Sequence, residues 1–246
     1  MHIGLLAAMP QELGFILDNL EIVESKNFGD LKLFSGFWRN GSNKKILLTV
    51  AWSGWGKVSA ARATTRLISN IFQNSKVDFV IFIGVAGAVD RKLRQWDIVL
   101  SEALIQYDMD ARPLFNKFVV PSIKEEKIIP NEKIINNFYK KLDKKGTIPE
   151  LKIFGALFKG LIGTGDMFIS DKRKLEQLSK EIPDLLAVEM EGAAFAQVAH
   201  QENIDWIVIR VISDDAGENA VEDFNEFINK YQFKSWELIK YLLDSI

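Results

Sequence analysis

The chain has 246 residues, 48% of them hydrophobic and 26% charged, and a formal net charge of −2. That length buries a sizeable core and suits one α/β domain spanning 1–246, and the charge gives no reason to expect nucleic acid or an anionic membrane as partner. There is no cysteine, and His2 and His200 are the only histidines, which excludes disulfides, thiolate nucleophiles and multi-histidine metal sites.

In chain order, "HIGLLAAM" reads as a buried strand, followed by a short helix from Pro10, which suits a first helical position. The same N-terminus lacks a positive start and its apolar run is cut by Pro10 and Glu12, so it is not read as a signal peptide. No run reaches the roughly 20 apolar residues of a membrane helix, and a soluble, cytoplasmic protein is expected. "LKLFSGFWRNGSNKKILLTVAWSG" holds two strands around "RNGSNKK", whose Asn-Gly marks a hairpin. A helix follows in "GKVSAARATTRLISNIF", then a strand in "VDFVIFIGVAG". After "WDIVLSEALIQ" the stretch 107–130 has no period and reads as an irregular excursion. "NEKIINNFYKKL" predicts a helix, "LKIFGALFKGLIGTG" a long strand, and "DKRKLEQLSKEI" a polar helix opened by Ser170 or Asp171. Then come the strand "LLAVEM", a helix from Glu191, the strand "WIVIRVISD" and a C-terminal helix through about 220–243. Alternating strands and helices, with continuous Val/Ile/Leu strands, predict a mostly parallel or mixed sheet covered on both faces.

Ligand sites in such sheets gather beyond the carboxyl ends of the strands. Those ends carry Met9 and Glu12, then "GVAGAV" with Ala86 and Gly87, then "GTGDMFIS" with Phe168 and Ile169. The last two strands deliver Glu189, Met190 and Glu191, and Arg210, Ser213 and Asp214. Each piece has a plainer reading: Glu12 complements a helix dipole, "GVAGAV" is a tight turn, Phe168 is core, and Asp214 and Asp215 form a helix cap. "GVAGAV" is not GxGxxG and no Walker-type lysine follows, so dinucleotide and triphosphate loops are poorly supported. Arg210 inside an apolar strand is harder to explain that way, because a buried guanidinium needs carboxylate partners. Glu189 and Glu191, two apart in an extended segment, offer them.

The motifs "IGLLAAMPQEL", "SGWGKVSAA", "GVAGAV", "WDIVLSEALIQYDMD", "GTGDMFIS", "VEMEGAAFAQVA" and "VIRVISDDA", in this order, resemble the bacterial 5′-methylthioadenosine/S-adenosylhomocysteine nucleosidases of the purine nucleoside phosphorylase-like superfamily. The resemblance implies a three-layer α/β/α sandwich around a central mixed sheet, assembled as a homodimer. It implies hydrolysis of an adenosine thioether to adenine and a thioribose product, with a nucleoside substrate, no cofactor and no metal. By the same resemblance Glu12 is the general base for water, and Glu189 and Arg210 organise that water. Glu191 accepts from the ribose 2′ and 3′ hydroxyls, and Met190 packs on the sugar. Asp214 protonates the purine at position 7, Phe168 stacks on adenine, and the backbone of Ile169 reads its Watson–Crick edge. Met9, Ala86, Gly87 and Ser213 complete the binding set.

Two departures stand out. Val85 replaces the serine of the family's "GSAG", removing a hydroxyl that supports the catalytic aspartate, a task open to Ser213 or Asp215. "QYDMDARPLFNKF" also differs from the usual "YHDVDVTAF". The excursion 107–121 is expected to expose Leu114, Phe115, Phe118, Val119 and Val120, with Phe115 or Phe118 at a dimer contact. Competing readings are a futalosine-type hydrolase, a phosphorylase using Arg91 or Arg112 for phosphate, and a non-catalytic nucleoside-binding protein.

Overall fold

The computed structural model describes residues 1–39, 44–217 and 220–244. The strands are β1 (His2–Ala7), β2 (Glu21–Phe28), β3 (Leu31–Arg39), β4 (Lys45–Trp52), β5 (Ile71–Phe72), β6 (Ser75–Lys76), β7 (Phe79–Ala88), β8 (Ile98–Gln106), β9 (Lys127–Ile128), β10 (Leu157–Thr164), β11 (Leu185–Glu189) and β12 (Asp205–Asp214). The helices are α1 (Pro10–Leu13), α2 (Ile16–Asn19), α3 (Lys57–Ile68), α4 (Glu132–Leu142), α5 (Lys172–Glu181), α6 (Gly192–Gln201) and α7 (Ala220–Asp244), with two short 3₁₀ turns at Lys145–Thr147 and Pro149–Leu151.

The large sheet runs β11-β10-β8-β12-β7-β1-β4-β3-β2, with β9 against β8, and mixes parallel and antiparallel pairs. Side chains alternate along its central strands as a period of two requires. Ile81 and Ile83 of β7, with Ile207 and Ile209 of β12, pack with α4 and α7 through Phe138, Phe227 and Leu238. Val80 and Phe82 of β7, with Val208 of β12, pack with α3 and α6 through Leu67, Phe195 and Ala196. Helices on both faces make the expected three-layer α/β/α sandwich around a mixed sheet. α5 covers the β10–β11 part through Leu178.

Sheet curvature adds a feature that alternation does not foretell. β11 returns to meet β7, with Ala187 opposite Ala88 and Val188 opposite Gly87 in antiparallel register. The strands β7, β12, β8, β10 and β11 therefore close into a ring, and the carboxyl ends of β7 and β11 meet. This meeting point positions the site.

Several expectations need correction. β2 was not anticipated; most of it is exposed, and Ile22 and Val23 are about half exposed, so no apolar alternation announces it. The proposed helix through 56–72 stops at Ile68, and Ile71–Phe72 pairs with Ser75–Lys76 instead. The long strand expected from Leu151 begins only at Leu157. Before it, Gly155 donates to the Trp96 carbonyl at 3.0 Å and Ala156 to Asp97 Oδ1 at 2.7 Å. Those bonds turn the backbone inward before the ladder can start. In the excursion, Val120 is buried and bridges to Glu125, and Phe118 packs against the α5 cluster, whereas Leu114 and Phe115 are exposed. Asp171, not Ser170, caps α5, accepting from the Arg173 amide at 2.8 Å. The Asn40-Gly41 turn lies outside the described residues, though the β3–β4 register from Arg39 opposite Lys45 is that of a hairpin.

Candidate active site

Where β1, β7, β11 and β12 end, a concave pocket opens, lined by apolar side chains with a few convergent polar groups. Met9, Glu12, Ala86, Gly87, Phe168, Ile169, Glu189, Met190, Glu191, Ser213 and Asp214 all line it. Arg210 is wholly buried behind this wall.

Glu12 sits in the first turn of α1 and is buried. Its Oε2 accepts from the Ala8 and Met9 amides at 2.8 and 2.9 Å, and its Oε1 from the Val85 amide at 2.9 Å. It therefore reaches back over its own helix start and across to β7, which dipole compensation alone does not require. Burial raises its pKa, against the pull of Arg210 and the three amides.

Arg210 stands opposite Gly84 in the β12–β7 register. Its guanidinium lies over the Phe82 ring at 4.3 Å and its Nη2 binds Glu189 Oε2. Gly84 is required here: a Cβ would lie 2.1 Å from Arg210 Nη1 and 2.5 Å from Glu12 Oε1.

Glu189 has little accepting capacity left. It takes hydrogen bonds from Thr164 Oγ1, from Arg210, from the Glu191 amide at 3.1 Å and from the Gly192 amide at 2.7 and 3.0 Å. The last two donors open α6, and a helix N-terminus favours an anion. This hydrogen bonding offsets the desolvation of Glu189 in the buried ion pair, whereas Nε and Nη1 of Arg210 are buried without a hydrogen-bond partner. Removing one partner alone would cost about 3–5 kcal/mol.

Glu191 is the N-cap of α6. Its Oε1 accepts from the Gly56 amide at 2.8 Å, and its Oε2 lies 4.0 Å from Arg210 Nη2. Burial and the neighbouring Glu189 charge push its pKa up to about 8. Asp214 ends β12. Its Oδ2 accepts from Ser213 Oγ at 2.6 Å and its Oδ1 from the Ala216 amide at 2.8 Å, and burial raises its pKa. Ser213, rather than Asp215, therefore supplies the hydroxyl that Val85 does not.

Phe168 forms one wall with Phe224 edge-on at 5.7 Å, and Trp55 meets Phe224 at 6.2 Å. Sequence reasoning missed Trp55, Gly56 and Phe224. A half-exposed tryptophan between two glycines was the available signal for the first two; Phe224 looks like any core position of an amphipathic helix. Arg91 and Arg112, the candidate phosphate ligands, do not line the cavity. Arg112 is exposed and paired with Asp110, and Arg91 borders a different groove. No lysine or arginine is among the described residues lining the cavity, and no three histidine, aspartate or glutamate side chains among the described residues are placed to hold a metal.

Comparison with known proteins agrees with this geometry. The model of the phosphorylase superfamily matches residues 2–244. A 5′-methylthioadenosine/S-adenosylhomocysteine nucleosidase from Buchnera aphidicola is 32% identical over 247 residues, covering 100% of this chain and 99% of its own. The chain belongs to this nucleosidase family of the phosphorylase superfamily. Among solved structures, the Neisseria meningitidis nucleosidase in complex with methylthio-immucillin-A superposes with a TM-score of 0.86 at 27% identity, covering 100% of this chain and 99% of that one. Futalosine hydrolase of Helicobacter pylori gives a TM-score of 0.85 at 29% identity, covering 100% and 98%.

Proposed function

We propose that the chain hydrolyses the N-glycosidic bond of 5′-methylthioadenosine or S-adenosylhomocysteine, releasing adenine and the thioribose product. The observation that carries this reading is the pairing of two buried carboxylates, Glu12 and Asp214, on one cavity that no cation among the described residues lines. Breaking the bond between C1′ and the base leaves positive charge on the sugar and an electron pair on adenine. Asp214, whose pKa burial raises, gives its proton to the purine nitrogen at position 7. Glu12 takes a proton from water, whose oxygen bonds to C1′. Arg210, behind the wall, favours the charged form of Glu12, and Glu189 fixes Arg210 in that place. Glu191 accepts from the ribose hydroxyls, with Met190 on the sugar, Phe168 on adenine and the Ile169 backbone at its edge. Met9, Ala86, Gly87 and Ser213 complete the pocket. Opposite protonation tasks for two carboxyl groups are the logic of inverting glycoside hydrolysis.

A phosphorylase must bring a dianion to C1′, where Glu12 and Glu189 would repel it. Adenine release is therefore expected without phosphate and unchanged by adding it. Strict phosphate dependence with a ribose 1-phosphate product would overturn the reading. The likeness to futalosine hydrolase makes a futalosine-type nucleoside the second candidate, so the assay compares all three substrates.

The same reading takes residues 1–246 as one domain acting as a cytoplasmic homodimer in methionine salvage. Leu114, 85% exposed, and Phe115, 36% exposed, are apolar surface that a second copy would cover. Sedimentation at micromolar concentration should give a dimer, and Leu114→Glu with Phe115→Glu a monomer. A monomeric parent would contradict the assembly.

A further inference from the structure

The start of α3 is tied to two other segments of the molecule. The first amides of a helix have no partner within it. Here the Gly56 amide donates to Glu191 Oε1 at 2.8 Å and the Lys57 amide to Asp166 Oδ1 at 2.7 Å. Asp166 in turn donates its own amide to Asp108 Oδ2 at 3.0 Å, and Asp108 Oδ1 takes Lys57 Nζ at 2.7 Å. Lys57, Asp166 and Asp108 thus form a closed ring of three bonds, joining the start of α3, the turn after β10 and the opening of the excursion. Gly56 has φ +90, and a Cβ there would stand 3.0 Å from Asp166 Oδ1, so the fit of this junction also demands glycine.

The Lys57 and Asp108 side chains are 19% and 32% exposed. Their attraction is therefore screened less than that of a surface pair. The ring lies outside the cavity and touches none of the reacting groups. Its hydrogen-bonded link to Glu191 is the Gly56 amide, and Asp166 also directly precedes Met167 and Phe168 of the cavity wall. That amide holds one oxygen of Glu191, while the other stands 4.0 Å from Arg210. Released from Gly56, the Glu191 carboxyl would be free to turn toward the guanidinium and away from the cavity.

We propose that Lys57, Asp108 and Asp166 are positioning residues for ribose recognition, keeping the Gly56 amide on Glu191 so that this carboxylate faces the sugar. This rests on the reading of Glu191 as acceptor for the ribose hydroxyls. The test measures kcat and KM of Lys57→Met, Lys57→Arg, Asp166→Ala and Glu191→Gln on 5′-methylthioadenosine and on its 2′-deoxy analogue, with thermal melting as a check on folding. Lys57→Met and Asp166→Ala should raise KM for the riboside about five- to twenty-fold, a part of what the hydrogen bonds to Glu191 provide. kcat should stay within about two-fold, as uniform binding loss requires. The 2′-deoxy analogue should change much less, and Lys57→Arg should recover most of the loss. Equal changes for both sugars in Lys57→Met and Asp166→Ala, or none, while Glu191→Gln discriminates between them, would overturn the ring's role. If Glu191→Gln itself fails to discriminate, the ribose assignment of Glu191 falls instead.

Discussion

Asp214 and Glu12 are both buried carboxylates, yet their hydrogen-bond partners differ in kind. Glu12 is met by three backbone amides, which only donate, so a proton on Glu12 would face N–H groups. Asp214 is met by one amide and by the Ser213 hydroxyl, which can turn to accept. The surroundings therefore tolerate a proton on Asp214 better than on Glu12, as acid and base roles require. Replacing Asp214 by Asn keeps the shape but removes the transferable proton. Turnover should fall by roughly 10²–10⁴, with binding of a ground-state adenosine analogue retained; near-normal turnover would reject the assignment. At this scale the sequence was informative, because charged residues within apolar strands stand out. Ser213 was harder to place, since it is hidden beside Asp214 and its rotamer is a matter of packing.

Gly84 acts through a whole strand. β7 supplies Val85's amide to Glu12 and clears space for Arg210 at Gly84, so two site residues from different elements pack against one backbone. Gly84→Ala adds a single methyl without backbone strain. It must displace the guanidinium, the Glu12 carboxylate or both. A misplacement near 1 Å costs roughly 10² in rate, so kcat should drop by about that factor with the fold retained by circular dichroism. An unchanged kcat would mean that the two side chains relax freely. Elements were legible where burial marked the chain, as continuous apolar runs in β1, β7 and β12 and as a helical period in α7. They were not where pairing alone decides: β2 is held by its ladder to β3, and the late start of β10 by the backbone bonds to Trp96 and Asp97. The return of β11 to β7 depends on strand curvature, which no local pattern carries.

For the molecule as a whole, the site has a pH-dependent cost. Glu191, with its pKa pushed up to about 8, keeps its proton in the folded state over a range where the unfolded chain has lost it. A raised folded pKa means stability is lost as pH rises from the unfolded value, about 4.5, toward 8. His2 acts oppositely: burial lowers its pKa, so its contribution is lost as pH falls below about 6.5. Glu191→Gln cannot ionise, so its melting temperature should gain on the parent steadily from pH 5 to pH 8.5. A constant difference across that range would show that Glu191 titrates normally. The ring closure has a further consequence for solubility. A β-sheet invites other chains at its open edges, and curling β11 onto β7 removes one of them. Among the described residues the long edge of the large sheet is β2, which carries Glu21, Glu24 and Lys26, while the two-residue β9 pairs with β8 alone. Edge charges of this kind discourage a foreign strand from adding on. The same bend that gathers the site residues leaves a charged margin as the sheet's long edge, guarded against fibrous growth.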